Sequence, residues 1–303
     1  MCAAAFHLRT FQGMRERIIR SGDVELWTQA IGEPDAPALL LNAGDCQSSM
    51  DWPEDLVHLL ADAGHLVLRY DYRDTGRSTH REFPPNPYDF DDLARDAVAV
   101  LDGWELERAH SLGFGMGSAV SQLLALDHRE RLTAITLLGS CAMDVDFFGN
   151  WERALTGEPT LDGLPTPERW FVELALNPAS VSEIEFYRRL SGDQLPFDEA
   201  ELRQRIERVR AHAADEEPVE DHPHGQIRQD WTKRAADLAD ITTPALVIEA
   251  PLDPIHPPPH ARHLAESIPG ARLTTIPGMG HYLAPAIHQP LTDAVTAHVG
   301  AGM

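Results

Sequence analysis

Cysteine is scarce in this chain of 303 residues: Cys2, Cys46 and Cys141 are the three it has. They are odd in number and far apart, which excludes a disulfide framework and fits a reducing cytosol. Positive charge is also in short supply. Lys and Arg number 25 against 48 Asp and Glu, a formal net charge of −23. Nucleic acid and anionic membranes attract basic surfaces, so neither is an expected partner; the acidity serves solubility. No apolar run approaches the roughly 20 residues of a membrane-spanning helix. The segment from Met1 to Arg9 has a short apolar patch but no basic lead and no long apolar core, so a signal peptide is not expected, and a cytoplasmic location is. There is no internal repeat and no low-complexity tract.

What the chain does have is an alternation of strand and helix patterns. Arg17-Ile-Ile-Arg20 and Val24-Glu-Leu-Trp-Thr28 flank Ser21-Gly22-Asp23 and read as a β-hairpin. Ala38-Leu-Leu-Leu41 is short and wholly apolar, as buried parallel strands are. A helix is expected from Pro53 to Ala63, a strand over His65 to Tyr70, a polar loop over Asp71 to Ser78 and an amphipathic helix over Asp89 to Trp104. After Ser140 only helical patterns appear until about Trp231, with Phe147, Phe148, Trp151, Trp170, Phe171, Phe186 and Tyr187 among them. The rhythm then resumes with Ala245 to Ala250, a helix over His260 to Ser267, a strand over Ala271 to Ile276 and a last helix from Pro290. The expected class is α/β, a mostly parallel sheet with helices on both faces. Residues 1–13 form an N-terminal extension, 14–140 and 232–303 the core, and 141–231 a helical cap over an apolar pocket.

The chain is organised around Arg108-Ala-His-Ser-Leu-Gly-Phe-Gly-Met-Gly-Ser-Ala119. Strand, tight glycine turn and helix form the setting of the G-x-S-x-G nucleophile elbow of α/β-hydrolases. The middle position should carry the nucleophile, and here it is Gly115. A dinucleotide fingerprint fails on the letters. Ser118 and Val120 stand where the third glycine is required, and the following strand ends without an acid.

In this fold the reactive residues run in the chain order nucleophile, acid, His. Leu252-Asp253-Pro254 follows the strand after the helical stretch, and Gly278-Met-Gly-His281 follows the last strand. Asp253 would fix the imidazole's tautomer and His281 would act as general base. The plainer alternative is a turn aspartate and a loop histidine. His256, His260 and His263, and the pair His222 and His224, lack the acid and Cys pattern of a metal site and read as surface histidines, so no metal is expected. Cys46 and Cys141 lie off the elbow and read as inert buried thiols. Arg73 to Ser78 reads as a turn tied by Arg–carboxylate bonds.

Several stretches carry a family resemblance: Ser21-Gly-Asp-Val-Glu-Leu-Trp27, Arg69-Tyr-Asp-Tyr-Arg-Asp-Thr-Gly-Arg-Ser-Thr79, Asp96-Ala-Val-Ala-Val-Leu-Asp-Gly-Trp104, Gly157-Glu-Pro-Thr-Leu-Asp-Gly-Leu-Pro165 and Ile276-Pro-Gly-Met-Gly-His281. With them, residues 14–299 resemble the aclacinomycin methylesterase family of actinomycete polyketide-tailoring α/β-hydrolases. The resemblance implies removal of a methyl ester from anthracycline-type aglycones. It places the family acid and His on Asp253 and His281, and the family serine on Gly115. A second departure lies in Asn42-Ala-Gly-Asp-Cys46, where the family has small neutral residues. That loop supplies one oxyanion-hole N–H, and Met116 supplies the other. An inward Asp45 would repel an oxyanion; an outward one would cap the helix ahead.

Loss of the serine alone would leave the oxyanion loop intact, so Asp45 and Cys46 point to a site that has moved toward other chemistry. The leading expectation is an enzyme in which His281, oriented by Asp253 and aided by Asp45, performs acid–base chemistry without an acyl-enzyme. Cyclisation, elimination or rearrangement of an aromatic polyketide, with no cofactor, fits that equipment. The alternatives are a methylesterase, by knockout of the serine or by direct use of water, and a non-catalytic binder. Gly44, Cys46, Phe147, Trp151 and Trp170 are the expected substrate-binding residues.

Overall fold

Short strands that are buried along their whole length need helices on both sides, and the chain supplies them in turn. The computed structural model describes residues 14–83, 85–213, 222–227 and 231–300. The expected extension 1–13, with Cys2, lies outside them. The hairpin consists of β1 (Arg15–Ser21) and β2 (Val24–Ile31), followed by β3 (Ala38–Asn42), α1 (Glu54–Asp62) and β4 (Leu66–Tyr70). Next come α2 (Phe90–Gly103), β5 (Ala109–Phe114), α3 (Met116–Asp127) and β6 (Leu132–Leu138). Five helices follow: α4 (Phe147–Thr156), α5 (Arg169–Leu176), α6 (Glu183–Ser191), α7 (Glu199–Ala213) and the short α8 (Pro223–Gln226). A 3-10 stretch, Trp231–Asp240, leads into β7 (Ala245–Glu249), α9 (His260–Ser267), β8 (Arg272–Thr275) and α10 (Pro285–Gly300).

The eight strands form one sheet in the order β1-β2-β4-β3-β5-β6-β7-β8. The β1–β2 and β2–β4 pairs are antiparallel and the remaining pairs parallel. Strands β3, β4 and β5 are buried at every position, the expected pattern when helices cover both faces. The one cation in β4, Arg69, is satisfied by Glu54 Oε2 and Gln29 Oε1, both at 2.9 Å. Helix α1 packs with α10, and α2 with α3. Asp89 opens α2 with a reciprocal capping box to Asp92, and Leu93, Ala97, Val100 and Leu101 turn its apolar side inward.

The last helix begins at Pro285, not at Pro290, which lies inside it. Proline suits a first turn, where its missing N–H has no partner to lose. With Pro285 in that place, Pro290 merely drops one bond of the ladder one turn later. The loop Asp71 to Ser78 is tied as expected: Arg73 Nη2 donates to the buried Asp96 at 2.7 Å, and Asp71 accepts from Ser49, the Arg77 N–H and His212.

Helices α4 to α7 share an apolar cluster separate from that of the sheet. Phe171, Val172, Leu190, Leu202 and Tyr282 form its centre, and Trp151, Trp170, Phe186 and Tyr187 pack against it. These helices rest on loops at the carboxyl ends of the strands. Arg205 of α7 donates to Asp51 O at 3.3 Å, the Glu168 N–H to Pro254 O at 2.7 Å, and the His281 N–H to Leu190 O at 2.7 Å.

Candidate active site

Strand β5 ends at Phe114, α3 starts at Met116, and Gly115 turns the chain between them with φ +54°. That is the left-handed region, where a side chain is strained and glycine is not. The three glycines of the turn differ in what surrounds them. A Cβ on Gly113 would come within 2.2 Å of Gly117 O, and one on Gly117 within 2.1 Å of Asn42 O. Helix α3 can approach the sheet only because both are glycine. A Cβ on Gly115 would meet nothing nearer than His281 Nε2 at 3.6 Å, Gly44 Cα at 3.7 Å and His281 Cε1 at 3.9 Å. The middle position has room for a Cβ and lacks one.

His281 reaches that position from the loop after β8. Its Nδ1 lies 2.8 Å from Asp253 Oδ2. The other carboxylate oxygen accepts the main-chain N–H groups of Ile255 at 2.8 Å and His256 at 3.0 Å. Burial by itself would raise the Asp253 carboxyl. The charge and hydrogen bond of His281 outweigh it and bring the pKa down to about 2. Asp253 is therefore an anion at neutral pH. Phe114 lies along the His281 ring with centroids 4.7 Å apart, and Gly139 clears it: a Cβ there would be 2.9 Å from Cε1.

The third component is the loop after β3. Gly44 donates its N–H to Gln47 Oε1 at 2.9 Å, and Cys46 donates its N–H to His224 Nδ1 at 3.3 Å. Between them, the Asp45 N–H has no hydrogen bond among the described residues. The Asp45 carboxyl is raised by burial, against a hydrogen bond to Cys46 and the charge of His222. It does not cap the following turn. Ser48 does so, in a capping box with Asp51. Met116, the first residue of α3, presents one of the N–H groups that a helix leaves unpaired at its start.

Cys46 is exposed, not buried as expected, because it sits at the tip of this loop. Although the residue is exposed, chain packed around the sulfur and then the charge of Asp45 push its thiol far up. Burial pushes Cys141 up to about 12. Neither is a ready thiolate.

Phe147 of α4 stacks on His256, with ring centroids 5.3 Å apart, and Trp151 packs edge-on against Phe147 and Phe171 at 5.9 and 5.5 Å. Trp170 packs on Phe171 at 6.3 Å, further from the elbow. Of the histidines expected at the surface, His222, His256 and His263 are half-buried and two are fully inside. His224 and His260 are buried and bonded to Arg73 O and Pro165 O, His222 is bonded to Asp74 O, and His263 pairs with Asp144. The polar loop at 222–224 packs down on the core through backbone carbonyls that its rings satisfy. His256 lies 6.1 Å from the His281 ring. Sequence reasoning missed it, and its place three residues after Asp253 is the signal that could have tied it to the site. Two cavities of about 400 and 360 Å³ lie elsewhere, beside Arg108 and Thr243 and beside Arg73 and Tyr88.

A parallel sheet with a glycine elbow after β5, an acid after β7 and a histidine after β8 defines a class of protein. The chain belongs to the α/β-hydrolase fold family, whose sequence profile matches residues 37–284. Within it the chain is 46% identical over 298 residues to the rhodomycin D methylesterase DauP of Streptomyces sp. (strain C5), spanning 95% of this chain and 99% of that protein. It is 45% identical, over the same shares, to the rhodomycin D methylesterase DnrP of Streptomyces peucetius. Among solved structures it is similar to a hydrolase from Pseudomonas aeruginosa PA01, with a TM-score of 0.66 and 25% identity over 94% of this chain and 98% of that one. It also matches the fold of the esterase EaEST from Exiguobacterium antarcticum, with a TM-score of 0.71 and 20% identity over 94% and 100%.

Proposed function

We propose that this chain hydrolyses a methyl ester on a polycyclic aromatic substrate of the anthracycline type, with water in place of a serine hydroxyl. One observation carries this: His281, held by the Asp253 anion, brings Nε2 to 3.6 Å from where a Cβ on Gly115 would stand, so the imidazole and the nucleophile position face each other with no side chain between them. The likeness to two rhodomycin D methylesterases supports an ester as the group acted on.

In this reading a water lodged over Gly115 gives its proton to His281 Nε2 as its oxygen bonds to the ester carbon. The carbonyl oxygen becomes an oxyanion between the N–H groups of Met116 and Asp45. Asp45 suits that place because its neighbours' N–H groups are engaged and its own is free among the described residues. Collapse expels methoxide, which takes the proton back from His281 and leaves as methanol; the substrate keeps a carboxylic acid, which gives its remaining proton to solvent and becomes a carboxylate. Asp253 stabilises the imidazolium and is not itself protonated. Phe147 and Trp151 face the ring system, Gly44 and Cys46 border it, and Trp170 backs it through Phe171. Helices α4 to α8 then act as the cap.

The missing side chain at Gly115 favours a second reading, in which His281 takes a proton from the substrate itself and the product is an isomer. Turnover of an anthracycline methyl ester in water labelled in its oxygen separates the two. Methanol release with label in the new carboxylate is the expected result. A product of unchanged mass would transfer the case to proton-transfer chemistry.

A further inference from the structure

The histidines around the site are engaged through their rings: His222, His224 and His260 with main-chain carbonyls, His263 with Asp144, and His281 with Asp253. His256 differs. Among the described residues its ring makes no hydrogen bond, yet its nitrogens are not sealed from solvent. Its position is nevertheless fixed. The main-chain N–H donates to Asp253 Oδ1 at 3.0 Å, and the ring stacks on Phe147 with 29° between the planes. Water supplies the ring's hydrogen bonds in the free protein, and a ligand that displaces it over a half-buried ring must replace them or lose affinity. Burial, partly offset by the Asp253 charge, brings the imidazole down to about 3. At neutral pH one nitrogen donates and the other accepts.

We infer that His256 is a substrate-binding imidazole that hydrogen-bonds a phenolic hydroxyl on a planar aromatic substrate lying along Phe147. This rests on the cleft at His281 being the reaction site. An uncharged ring favours neither an anion nor a cation, and its complement is a neutral oxygen. Trp151 beside Phe147 continues the aromatic surface, which suits a flat fused-ring ligand.

The test compares two probes without an ester, quinizarin (a dihydroxyanthraquinone) and anthraquinone, by fluorescence titration. The native chain should prefer quinizarin by about tenfold, the size of one net hydrogen bond. His256→Phe keeps a ring against Phe147 and should abolish that preference, with anthraquinone affinity within about twofold of native. His256→Asn should recover part of it. Three results would overturn the inference: the preference survives in His256→Phe, the native chain shows none, or both variants lose both probes equally with a lowered melting temperature. Because neither probe can be hydrolysed, the outcome is separate from esterase activity. Absent methanol release with an intact His256-dependent preference would sink the hydrolysis and leave this assignment standing.

Discussion

The two halves of the site are built to different degrees. On the side of β7 and β8, Asp253 and His281 are locked by a 2.8 Å bond, two main-chain donors and a backbone bond to α6. On the side of β5, Gly113 and Gly117 are compelled by backbone contacts, while a Cβ on Gly115 between them would meet only ordinary contacts, and the position has no functional group. The difference shows which parts of an elbow belong to the fold. Flanking glycines are needed for a helix to meet a sheet; the residue between them is needed only for chemistry.

The largest expected effect lies on the built half. His281→Ala or Asp253→Asn should lower turnover by roughly 10²–10⁴-fold, the range of a general base. Affinity for the aromatic ligand should stay within a few-fold. The double variant should be scarcely worse than either single one, because the two act as a unit. Full turnover in either single variant, by product assay beside calorimetry, would end the base assignment.

Stability probes the other half. Gly117→Ala drives a methyl into Asn42 O and should cost about 1–3 kcal/mol, as overpacking does. Gly115→Ala carries only the left-handed backbone strain, about 1–2 kcal/mol. Denaturant midpoints should rank Gly117→Ala as the worse; equal losses would erase the contrast between flank and centre.

Acid pH tests the lock itself. The folded Asp253 carboxyl, at about 2, lies below its ordinary value. Its contribution is complete above the unfolded value, near pH 4, and is lost as pH falls through about 2. The stability gap between the native chain and Asp253→Asn should therefore shrink by about 2 kcal/mol over that window. A gap that stays constant with pH would show that the carboxylate gains nothing from its partners.

The smallest expected change is a gain. Gly115→Ser places a hydroxyl toward His281 Nε2 and should raise methyl ester hydrolysis about tenfold, on the order of one new transition-state contact. If the Asp45 carboxylate opposes the oxyanion, Gly115→Ser with Asp45→Gly should exceed it. Equal rates for the two would show that the carboxylate is harmless there.

The fold was legible because its signals are local. Apolar runs such as Ala38 to Leu41, the glycine turn at 113–117 and the alternation of strand and helix specify a parallel sheet without knowledge of long-range contacts. Asp253 and His281 were placed by their positions after particular strands, which chain order alone provides. Side-chain direction was not legible. Whether Asp45 faces the elbow, and that His224 and His260 turn inward to backbone carbonyls, depend on segments far away in sequence. His256 reads as a surface histidine beside His260 and His263 because their grouping is visible in the sequence, whereas its stack on Phe147 is not. The start of α10 was missed for a similar reason: two prolines five residues apart each fit a first turn, and packing chose the earlier.

The carboxylate of Asp253 has one further consequence, for which positions tolerate substitution. Its oxygens bind the ring of His281 and the main chain of residues 255 and 256 at once. The contacts that aim the imidazole are thus the ones that fold the turn between β7 and α9. Substitution at 253 or 281 strands a buried polar partner and penalises the whole protein, whatever the reaction. No such penalty guards position 115, where nothing depends on a hydroxyl. An architecture of this kind ties residues 253 and 281 to the fold and leaves position 115 without such a tie.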